Sequence, residues 1–421
     1  MSDCVEILFT SESSGTHSTC CAWDPKNGTN LLTYKGGGAA TINGIDFIRD
    51  EFLITANNTK PLLHIFPVNS QDQISEHRLV IPGKPNTIAI SPDGNYLVAG
   101  IQETFYVWEI RTGRMVNSIS KHYQKINVIR FTDDGSHFVT ASEDGGVLVW
   151  NFSKVAGDGD SNMLPLYTLH DHALPVTHIH IGIGGLRALM FTVSLDSTCR
   201  IYDLSTGKQL LNIVFMEALT CVTANLTETT VFVGTVEGNI LEFSLVASPR
   251  YKEYHMTKED YTNNLVSSSK EKSSVKCMSL SLDEETLVSG GDDNNVYIWH
   301  ISSRQLLRTI PHKGSISNVI LKLNNKNMLR PEAKYNLIAG SFKRMIDPKT
   351  STDNEIVEME VKGFAEDDEV IASSQMISSK SGGEVEGQSS SEVDRLREEV
   401  KKLKKANHEL FQYSLKNVMD K

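Results

Sequence analysis

Residues 126–150, INVIRFTDDGSHFVTASEDGGVLVW, contain three strand-like segments separated by two turn sequences. The segments are rich in valine, isoleucine and phenylalanine and alternate in side-chain character, which is typical of β-strands. Asp133-Asp134-Gly135 and Glu143-Asp144-Gly145 supply residues that favour chain reversal. The stretch therefore predicts an antiparallel meander whose third strand ends at an aromatic residue, Trp150.

The same arrangement recurs along the chain with a period of about forty residues. Strand-like runs that end in an aromatic residue are separated by 43, 42, 42, 52, 41 and 56 positions. These aromatic residues are Trp23, Phe66, Trp108, Trp150, Tyr202, Phe243 and Trp299. A period of about 40–45 residues with a terminal Trp-Asp pair, as at Trp23-Asp24, predicts a WD-repeat β-propeller with four antiparallel strands in each blade.

The strand count predicts seven blades, one of which is shared between the chain ends. Residues 305–310 and 316–323 form an outer strand and one further inner strand, after which the pattern stops. Three N-terminal strands are predicted at residues 5–10, 19–23 and 30–35. Pairing the last inner strand with these strands would leave no open sheet edge. We therefore expect one all-β domain, a seven-bladed propeller over residues 1–323.

Polar residues recur at fixed positions in the repeats. An acid lies six residues before several terminal aromatics, and a histidine precedes the first strand in three units. In WD-repeat proteins these two residues form a hydrogen-bonded tetrad with the strand tryptophan and a Ser or Thr of the second strand. The chain resembles that pattern, with either Thr140 or Ser142 as the hydroxyl residue, since both lie on one face of the strand. The expected structural tetrad residues are His122, Thr140, Ser142, Asp144, Trp150, His172, Asp196, Asp293 and Trp299.

Two repeat units are too long for a minimal blade. Residues 156–162 are rich in glycine and aspartate, which predicts a mobile loop after the third strand. Residues 248–272 carry three tyrosines among charged residues and are either a solvated insertion or a partner-binding element. The outer strand of this second unit cannot be placed from the sequence.

The C-terminal quarter has a different composition. Residues 324–349 retain some apolar character and are expected to flank the propeller. Residues 350–391 have a net charge of −8 and a Ser/Gly-rich end, which predicts a linker that buries too little surface to order itself. Most of the net charge of −11 lies in this linker, so the propeller is only mildly acidic.

A heptad pattern follows over residues 392–419 and predicts a coiled-coil helix. Glu399 and Lys404 occupy g and e positions, and Asn407 at an a position favours two parallel strands in register. The alternative is a single amphipathic helix that docks on another protein. The lysines at 401–405 also resemble a nuclear-import signal, although they equally form the solvated face of the helix. The predicted dimerisation residues are Val393, Leu396, Val400, Leu403, Asn407 and Leu410.

The sequence contains no motif that predicts catalysis. No P-loop, dinucleotide-binding, zinc-protease or nucleophile-elbow pattern occurs, and Gly36-Gly37-Gly38 lies between strands as a turn. His170, His178 and His180 lie in a loop or alternate along a strand, so we expect no metal site and no cofactor. The six cysteines show no CxxC spacing and predict reduced thiols. No stretch approaches the about 18 apolar residues of a membrane-spanning helix, so we expect a soluble protein. Because no catalytic motif occurs, we also expect a protein that is not an enzyme.

Several strings are more specific than the repeat itself. They are residues 30–37 (NLLTYKGG), 121–124 (KHYQ), 136–138 (SHF), 172–177 (HALPVT) and the helix at 403–411. Through them the chain resembles the WD repeat-containing protein 18 family, the WD-repeat subunit of the rixosome. The resemblance covers most of the propeller and the terminal helix. The acidic linker and the tyrosine-bearing insertion depart from it and leave partner-contacting loops unassigned.

The resemblance implies a non-catalytic scaffold in nuclear maturation of the large ribosomal subunit. It further implies processing of internal transcribed spacer 2, binding to the large helical-repeat subunit and the other rixosome subunits, and docking of an AAA-type ATPase on the pre-60S particle. The C-terminal helix would pair two copies, and the protein would reside in the nucleolus and nucleoplasm. Links to chromatin silencing and replication licensing also exist in the family. The alternative is a substrate receptor of a cullin-based ubiquitin ligase, since Trp108-Glu109-Ile110-Arg111 is close to the W-D-x-R motif of such receptors.

Overall fold

The computed structural model describes residues 6–15, 18–74, 79–157, 163–246, 252–268, 273–323, 329 and 340–345. The chain divides into two units, Met1–Gly363 and Phe364–Lys421, and every described residue belongs to the first. The predicted linker at 350–391 and the coiled-coil helix at 392–419 lie outside the described residues. Both therefore stay predictions.

The described residues form a seven-bladed β-propeller whose blades each contain four antiparallel strands, with a fifth, parallel strand added to one blade, and this confirms the predicted fold class. The N-terminal strands are β1 Glu6–Glu12, β2 Cys20–Trp23 and β3 Asn30–Tyr34. The first complete blade contains β4 Ala40–Ile48, β5 Phe52–Asn57, β6 Leu62–Pro67 and β7 Leu79–Val80. The second contains β8 Thr87–Ile90, β9 Tyr96–Ile101, β10 Thr104–Glu109 and β11 Met115–Ser120. The third contains β12 Ile126–Phe131, β13 His137–Ser142, β14 Val147–Asn151 and β15 Tyr167–Leu169.

The remaining blades continue in the same order around the disc. The fourth contains β16 Val176–Ile181, β17 Leu189–Ser194, β18 Thr198–Asp203 and β19 Lys208–Val214. The fifth contains β20 Leu219–Ala224, β21 Thr230–Thr235 and β22 Asn239–Ser244; later in the chain, β23 Glu253–His255 joins the fourth blade and β24 Leu265–Ser268 completes the fifth. The sixth contains β25 Val275–Leu280, β26 Thr286–Gly291, β27 Asn295–His300 and β28 Gln305–Pro311. The last inner strand is β29 Ile316–Leu323.

The seventh blade joins the two ends of the propeller. Its strand order is β29-β1-β2-β3, and β1 pairs with β29 from Glu6 opposite Leu323 to Glu12 opposite Ile316. The first N-terminal strand thus pairs with the last inner strand. Because the central strand of this closure comes from the start of the chain, both termini of the propeller are held in one sheet.

Turn chemistry and buried aromatic rings fix the blade geometry. Gly135 adopts φ of +70° in the turn between β12 and β13, a conformation that glycine adopts without steric cost. The core lies between neighbouring blades as separate apolar clusters. Between the second and third blades, the ring centroid of Phe105 lies 5.4 Å from that of Phe138 and 5.0 Å from that of Trp150. Each blade is thus held by contacts with its neighbours, as repeat architectures require.

Three short helices interrupt the strands among the described residues. They are α1 Phe152–Gly157, α2 Lys258–Asn264 and a 3₁₀ turn Gly185–Arg187. The prediction of a loop that starts at Ala156 is wrong for residues 156 and 157, because both belong to α1. Asn151 accepts hydrogen bonds at the start of α1 from Lys154 N (3.2 Å) and Ser153 Oγ (2.6 Å), and Phe152 and Val155 are buried. No helix in the described part of the chain is long and apolar enough to cross a membrane.

Candidate functional site

The third blade brings four predicted residues together in one hydrogen-bonded tetrad. His122 Nδ1 lies 3.2 Å from Asp144 Oδ2, and His122 Nε2 lies 2.8 Å from Thr140 Oγ1. The indole N–H of Trp150 donates to the same Thr140 oxygen at 3.1 Å. His122, Thr140 and Trp150 are buried. The chain of bonds therefore joins the loop before β12 to β13 and β14.

Thr140, rather than Ser142, is the hydroxyl residue of this tetrad. Ser142 is buried on the same strand face but lies at its turn end, where it donates to Gln124 O at 3.0 Å and accepts from Asp144 N at 3.2 Å. The indole of Trp150 does not extend that far along β13. The sequence could not decide between Thr140 and Ser142, because their side chains lie on the same face of the strand.

The tetrad carboxylate also fixes the backbone of the exposed loop. Asp144 accepts hydrogen bonds from the backbone N–H groups of Tyr123 (2.9 Å) and Gly146 (2.8 Å). Burial raises the pKa of Asp144, but the hydrogen bond from His122 and those from the backbone outweigh it and hold the pKa well below its ordinary value. The carboxylate is therefore charged whenever the fold is intact near neutral pH.

Asp144→Asn is expected to destabilise the propeller in a pH-dependent way. A carboxyl group whose pKa is lower in the folded state contributes stability above its unfolded pKa of about 3.9, and this contribution is lost as the pH falls towards the folded value. The difference in unfolding free energy between wild type and Asp144→Asn should therefore shrink below about pH 4. Urea denaturation across this range measures it, with the exposed Asp283→Asn as control. A difference that is constant with pH would contradict the assignment.

The fourth blade contains a variant of the tetrad. His172 Nδ1 lies 3.0 Å from Asp196 Oδ2, and His172 Nε2 lies 2.8 Å from Thr192 Oγ1. The tyrosine that replaces tryptophan does not join this chain, because the Tyr202 hydroxyl donates to Asp171 Oδ2 at 2.8 Å. Burial raises the pKa of Asp196, but hydrogen bonds from His172 and Thr198 outweigh it, so the pKa is lowered. Asp196 thus has the same role as Asp144.

The closing blade contains a hydrogen-bonded triad that the sequence analysis missed. The Trp23 indole N–H donates to Thr10 Oγ1 at 2.8 Å, and the same oxygen lies 3.3 Å from His312 Nε2. Thr10 and Trp23 come from the N-terminal strands, whereas His312 comes from the loop before β29. The triad therefore bonds the two ends of the propeller. The signal was present in the sequence, since His312 precedes an inner strand as His122 and His172 do.

In the sixth blade, two of the predicted residues lie in separate contacts. The Trp299 indole N–H donates to Ser289 Oγ at 3.0 Å. Asp293 accepts from the backbone N–H of Asn295 at 3.4 Å and belongs to the turn between β26 and β27. These two predicted residues are therefore not joined in one tetrad by the described contacts.

The second blade takes its hydrogen-bond acceptor from the C-terminal extension. Val98 stands ten residues before Trp108, where Thr140 stands relative to Trp150, so β9 offers no hydroxyl at that position. Instead, the Trp108 indole N–H donates to Lys343 O at 2.9 Å, and the Phe342 ring stacks on the Trp108 ring with centroids 5.5 Å apart. We call residues 340–345 the strap.

Phe342→Ala is expected to lower the unfolding free energy by about 1–2 kcal/mol, less than a core Phe→Ala replacement because the strap can detach while the blade persists. The freed Trp108 ring should become more accessible to acrylamide quenching. Met345→Ala is the matched control, since Met345 is 81% exposed at the end of the same segment. Equal quenching in the two variants would contradict a covering role for the strap.

The strap also covers the Trp-Glu-Ile-Arg turn after β10. Gly340 N donates to Ile110 O at 3.0 Å, and Lys343 N donates to Gly113 O at 2.8 Å. Arg111 itself is exposed. An adaptor of a cullin-based ubiquitin ligase that recognises this turn would have to bind beside the strap or displace it.

The tyrosine-bearing insertion folds onto the propeller over its described residues, 252–268. β23 pairs in parallel with β19, which extends the fourth blade to five strands, and β24 is the outer strand that the sequence could not place. The Tyr261 hydroxyl donates to Glu217, and Met256 and Val266 are buried. Most of the other described side chains of the insertion are exposed or half-buried, so the two alternatives, a solvated insertion and a partner-binding element, stay open. Tyr251 lies outside the described residues.

One face of the disc carries exposed apolar side chains on consecutive blades. The loops before the inner strands and those between second and third strands share this face, because neighbouring strands are antiparallel. We call the following five residues the upper rim row; their exposed fractions range from 36% to 87%. They are Tyr123, Leu174, Leu195, Met216 and Val236.

The tetrads hold part of this row in place. Tyr123 and Leu174 follow the tetrad histidines, and Asp144 and Asp196 bond the backbone N–H of Tyr123 and Ala173 at 2.9 and 3.1 Å. Tyr123 and Leu174 thus lie on loops whose backbone is fixed before any partner binds, which lowers the entropic cost of association.

The described residues contain no arrangement suited to metal or redox chemistry. Among them, no group of three or more His, Cys, Asp or Glu side chains is placed to hold a metal ion. Cys20, Cys21, Cys199 and Cys221 are buried free thiols, and burial raises the pKa of Cys199 and Cys221 to about 12. Thiols with raised pKa are poor nucleophiles at neutral pH. Cys4 lies outside the described residues.

Comparison with known proteins is consistent with the geometry. The model of the WD domain, G-beta repeat family matches residues 113–151 and 263–300. The chain is 33% identical over 341 residues to WD repeat-containing protein 18 of Rattus norvegicus, which covers 81% of this chain and 78% of the rat protein. It is 29% identical over 288 residues to the pre-rRNA-processing protein crb3/ipi3 of Schizosaccharomyces pombe, which covers 61% of this chain and 64% of the yeast protein.

A solved structure shows the same fold. The computationally designed Ika8 protein superposes with a TM-score of 0.52 at 19% identity, over 74% of this chain and 86% of the designed chain. At that identity the similarity concerns the propeller fold alone.

Proposed function

Because the chain belongs to the WD repeat-containing protein 18 family, we propose that it acts as a non-catalytic scaffold in pre-rRNA processing and maturation of the large ribosomal subunit. The observation that carries this proposal is the family membership, together with relatives whose own names state pre-rRNA processing. The propeller geometry is compatible with a scaffold, since its polar clusters are used in bonds between strands and its exposed loops lie on a fixed frame.

The finer role we propose is that of the rixosome subunit that acts in processing of internal transcribed spacer 2. Its partners would be the large helical-repeat subunit, the other rixosome subunits and the pre-60S particle with its AAA-type ATPase. The site of action would be the nucleus, in the nucleolus and nucleoplasm. The upper rim row is the surface that we assign to a partner, because its apolar side chains lie on loops fixed by Asp144 and Asp196.

Affinity purification of the tagged full-length protein tests this proposal. We expect pre-60S particles and rixosome subunits to co-purify, and we expect Tyr123→Glu with Leu174→Glu to lose part of this set while the fold is retained. Leu306→Glu is the matched control, since Leu306 is a similarly exposed leucine, 45% exposed, on the outer strand β28. Recovery of a cullin adaptor that is lost on Arg111→Ala, without pre-60S material, would overturn the proposal.

We also propose that the C-terminal helix pairs two copies of the chain. Light scattering on the full-length protein and on a chain ending at Ser390 should show a dimer becoming a monomer. Asn407→Leu should change the register or number of helices more than it lowers stability, because a buried Asn at an a position specifies pairing. An unchanged mass after truncation would contradict the homodimer. Two copies in one assembly would raise the effective concentration of the second contact with a partner.

A further inference from the structure

The inner strands enclose a cavity of about 380 Å³. Its lining comes mainly from β4, β12, β16, β20, β25 and β29, and its volume lies in the range of small-ligand sites, about 300–1,000 Å³. The titratable groups that line it are Asp46, Arg130, His178, His180, Cys277 and Lys322. One carboxylate thus faces two cations and two imidazoles.

The guanidinium of Arg130 lies in this cavity, and few neighbouring groups balance its positive charge. Its Nη2 donates to Asn43 Oδ1 at 3.2 Å, and this is its one side-chain hydrogen bond within the described residues. A guanidinium has five N–H donors, so most of them face the cavity unbonded. Burial lowers the pKa of Arg130 although the nearby charge of Asp46 opposes this. Arg130 is partly exposed, so its unbonded N–H groups remain available to an anion that enters the cavity.

Asp46 compensates this charge only in part. Its Oδ2 accepts from Ile90 N at 2.7 Å, and its Oδ1 accepts from Phe47 N at 2.8 Å. Burial raises the pKa of Asp46 in spite of these bonds and of the positive charges of Arg130 and Lys322. In the described part of the chain, no ion pair joins Asp46 to Arg130.

The two histidines of β16 add polar N–H groups to the same cavity. His178 Nδ1 lies 3.1 Å from Val222 O, whereas neither ring nitrogen of His180 has a hydrogen-bond partner among the described residues. Burial, followed by the charge of Arg130, lowers the pKa of His178 to about 3 and that of His180 to about 4. Both rings are therefore neutral near pH 7.

Lys322 adds a positive charge on β29 but is already engaged. Its Nζ forms an ion pair with Asp50 and lies 4.6 Å from the centroid of the Phe47 ring. Its charge raises the electrostatic potential of the cavity. Arg130 and His180 supply N–H groups that have no partner among the described residues.

We propose that the cavity binds a small oxyanion of the phosphate type, free or carried on a small metabolite, between Arg130 and His180. Such an anion would accept hydrogen bonds from the free N–H groups of Arg130, offset its positive charge in the cavity and give His180 a hydrogen-bond partner. A cation would be repelled by Arg130, and a neutral ligand would leave the guanidinium uncompensated.

Isothermal titration calorimetry of the full chain with pyrophosphate and with inositol trisphosphate tests the site. We expect saturable binding of at least one probe, and a loss of affinity of about tenfold or more in Arg130→Gln. Arg49→Gln is the matched control, since Arg49 is exposed and bonds Asp93 O outside the cavity. Binding of inositol trisphosphate alone would identify a phosphorylated metabolite as the ligand class, and binding of pyrophosphate would identify a free oxyanion.

Binding of neither probe to the wild type would overturn the proposal, as would equal affinity in Arg130→Gln. If Arg130→Gln does not fold, His180→Asn decides the question, because it removes a neutral side chain. We expect this variant to bind the probe more weakly than the wild type, and unchanged affinity would overturn the assignment of His180.

Discussion

Replacing Trp150 with alanine is expected to lower the free energy of unfolding by about 3–5 kcal/mol. The side chain is fully buried, and its ring centroid lies 5.0 Å from that of Phe105 and 6.3 Å from that of Phe138. Its removal leaves a cavity between two blades and takes away the indole N–H that Thr140 accepts at 3.1 Å. Chemical denaturation followed by circular dichroism measures the change.

Two variants separate the packing from the hydrogen bond. Trp150→Phe keeps an aromatic ring but removes the N–H, so we expect a loss of about 1–2 kcal/mol. Trp299→Ala is the matched control, because Trp299 has the same place in its blade and the same kind of bond, to Ser289 at 3.0 Å, but is only partly buried. A loss for Trp299→Ala equal to that for Trp150→Ala would show that burial is not the deciding difference.

Leu8→Asp is expected to unfold the propeller or to lower its unfolding free energy by more than about 4 kcal/mol. Leu8 is fully buried in β1, lies opposite Leu321 of β29, and packs in a cluster with Val288 and Ile316. A carboxylate at this position would be buried without a cation. The change acts on the closing sheet and on its contact with the sixth blade, so its effect measures how much the whole disc depends on the closure.

Leu31→Asp is the control for this prediction. Leu31 belongs to β3 of the same blade but is 43% exposed, so the change should stay within about 0.5 kcal/mol. Thermal denaturation and light scattering of both variants distinguish a lost closure from general sensitivity of the blade. A stable, monodisperse Leu8→Asp protein would contradict closure through β1.

The fold was predictable from the sequence because its repeat is long and its turns are specific. The aromatic residues at strand ends gave the period, and Asp-Gly turns such as that at Gly135 marked the reversals. The closing strands were predictable because β29, the last inner strand, would otherwise have lacked the other three strands of its blade. Local patterns therefore sufficed wherever a blade is built from consecutive residues.

The features that the sequence did not predict depend on contacts between distant residues. The strap reaches Trp108 from 235 positions away, and only Val98, where another blade has Thr140, hinted that an acceptor must come from elsewhere. β23 pairs with the outer strand of the preceding blade through a parallel ladder that no local period indicates. The choice of Thr140 over Ser142 likewise depends on the reach of one indole ring.

The cavity and the upper rim row also depend on residues that are distant in the sequence. Arg130 and His180 each stand in an ordinary inner-strand pattern, and their common environment arises only when neighbouring inner strands converge. Tyr123 and Leu174 follow tetrad histidines in the sequence, but their exposure is visible only in the folded loops. The propeller was therefore predictable from the sequence alone. The surfaces available to ligands and partners became visible only in the three-dimensional structure.

Depletion of the protein from cells tests most sharply whether it acts as a scaffold in pre-rRNA processing. Precursors that retain internal transcribed spacer 2, quantified by hybridisation, should accumulate after depletion. Full-length protein should restore processing, and the Tyr123→Glu, Leu174→Glu variant should restore it less well. Unchanged levels of these precursors after depletion would exclude the proposed function.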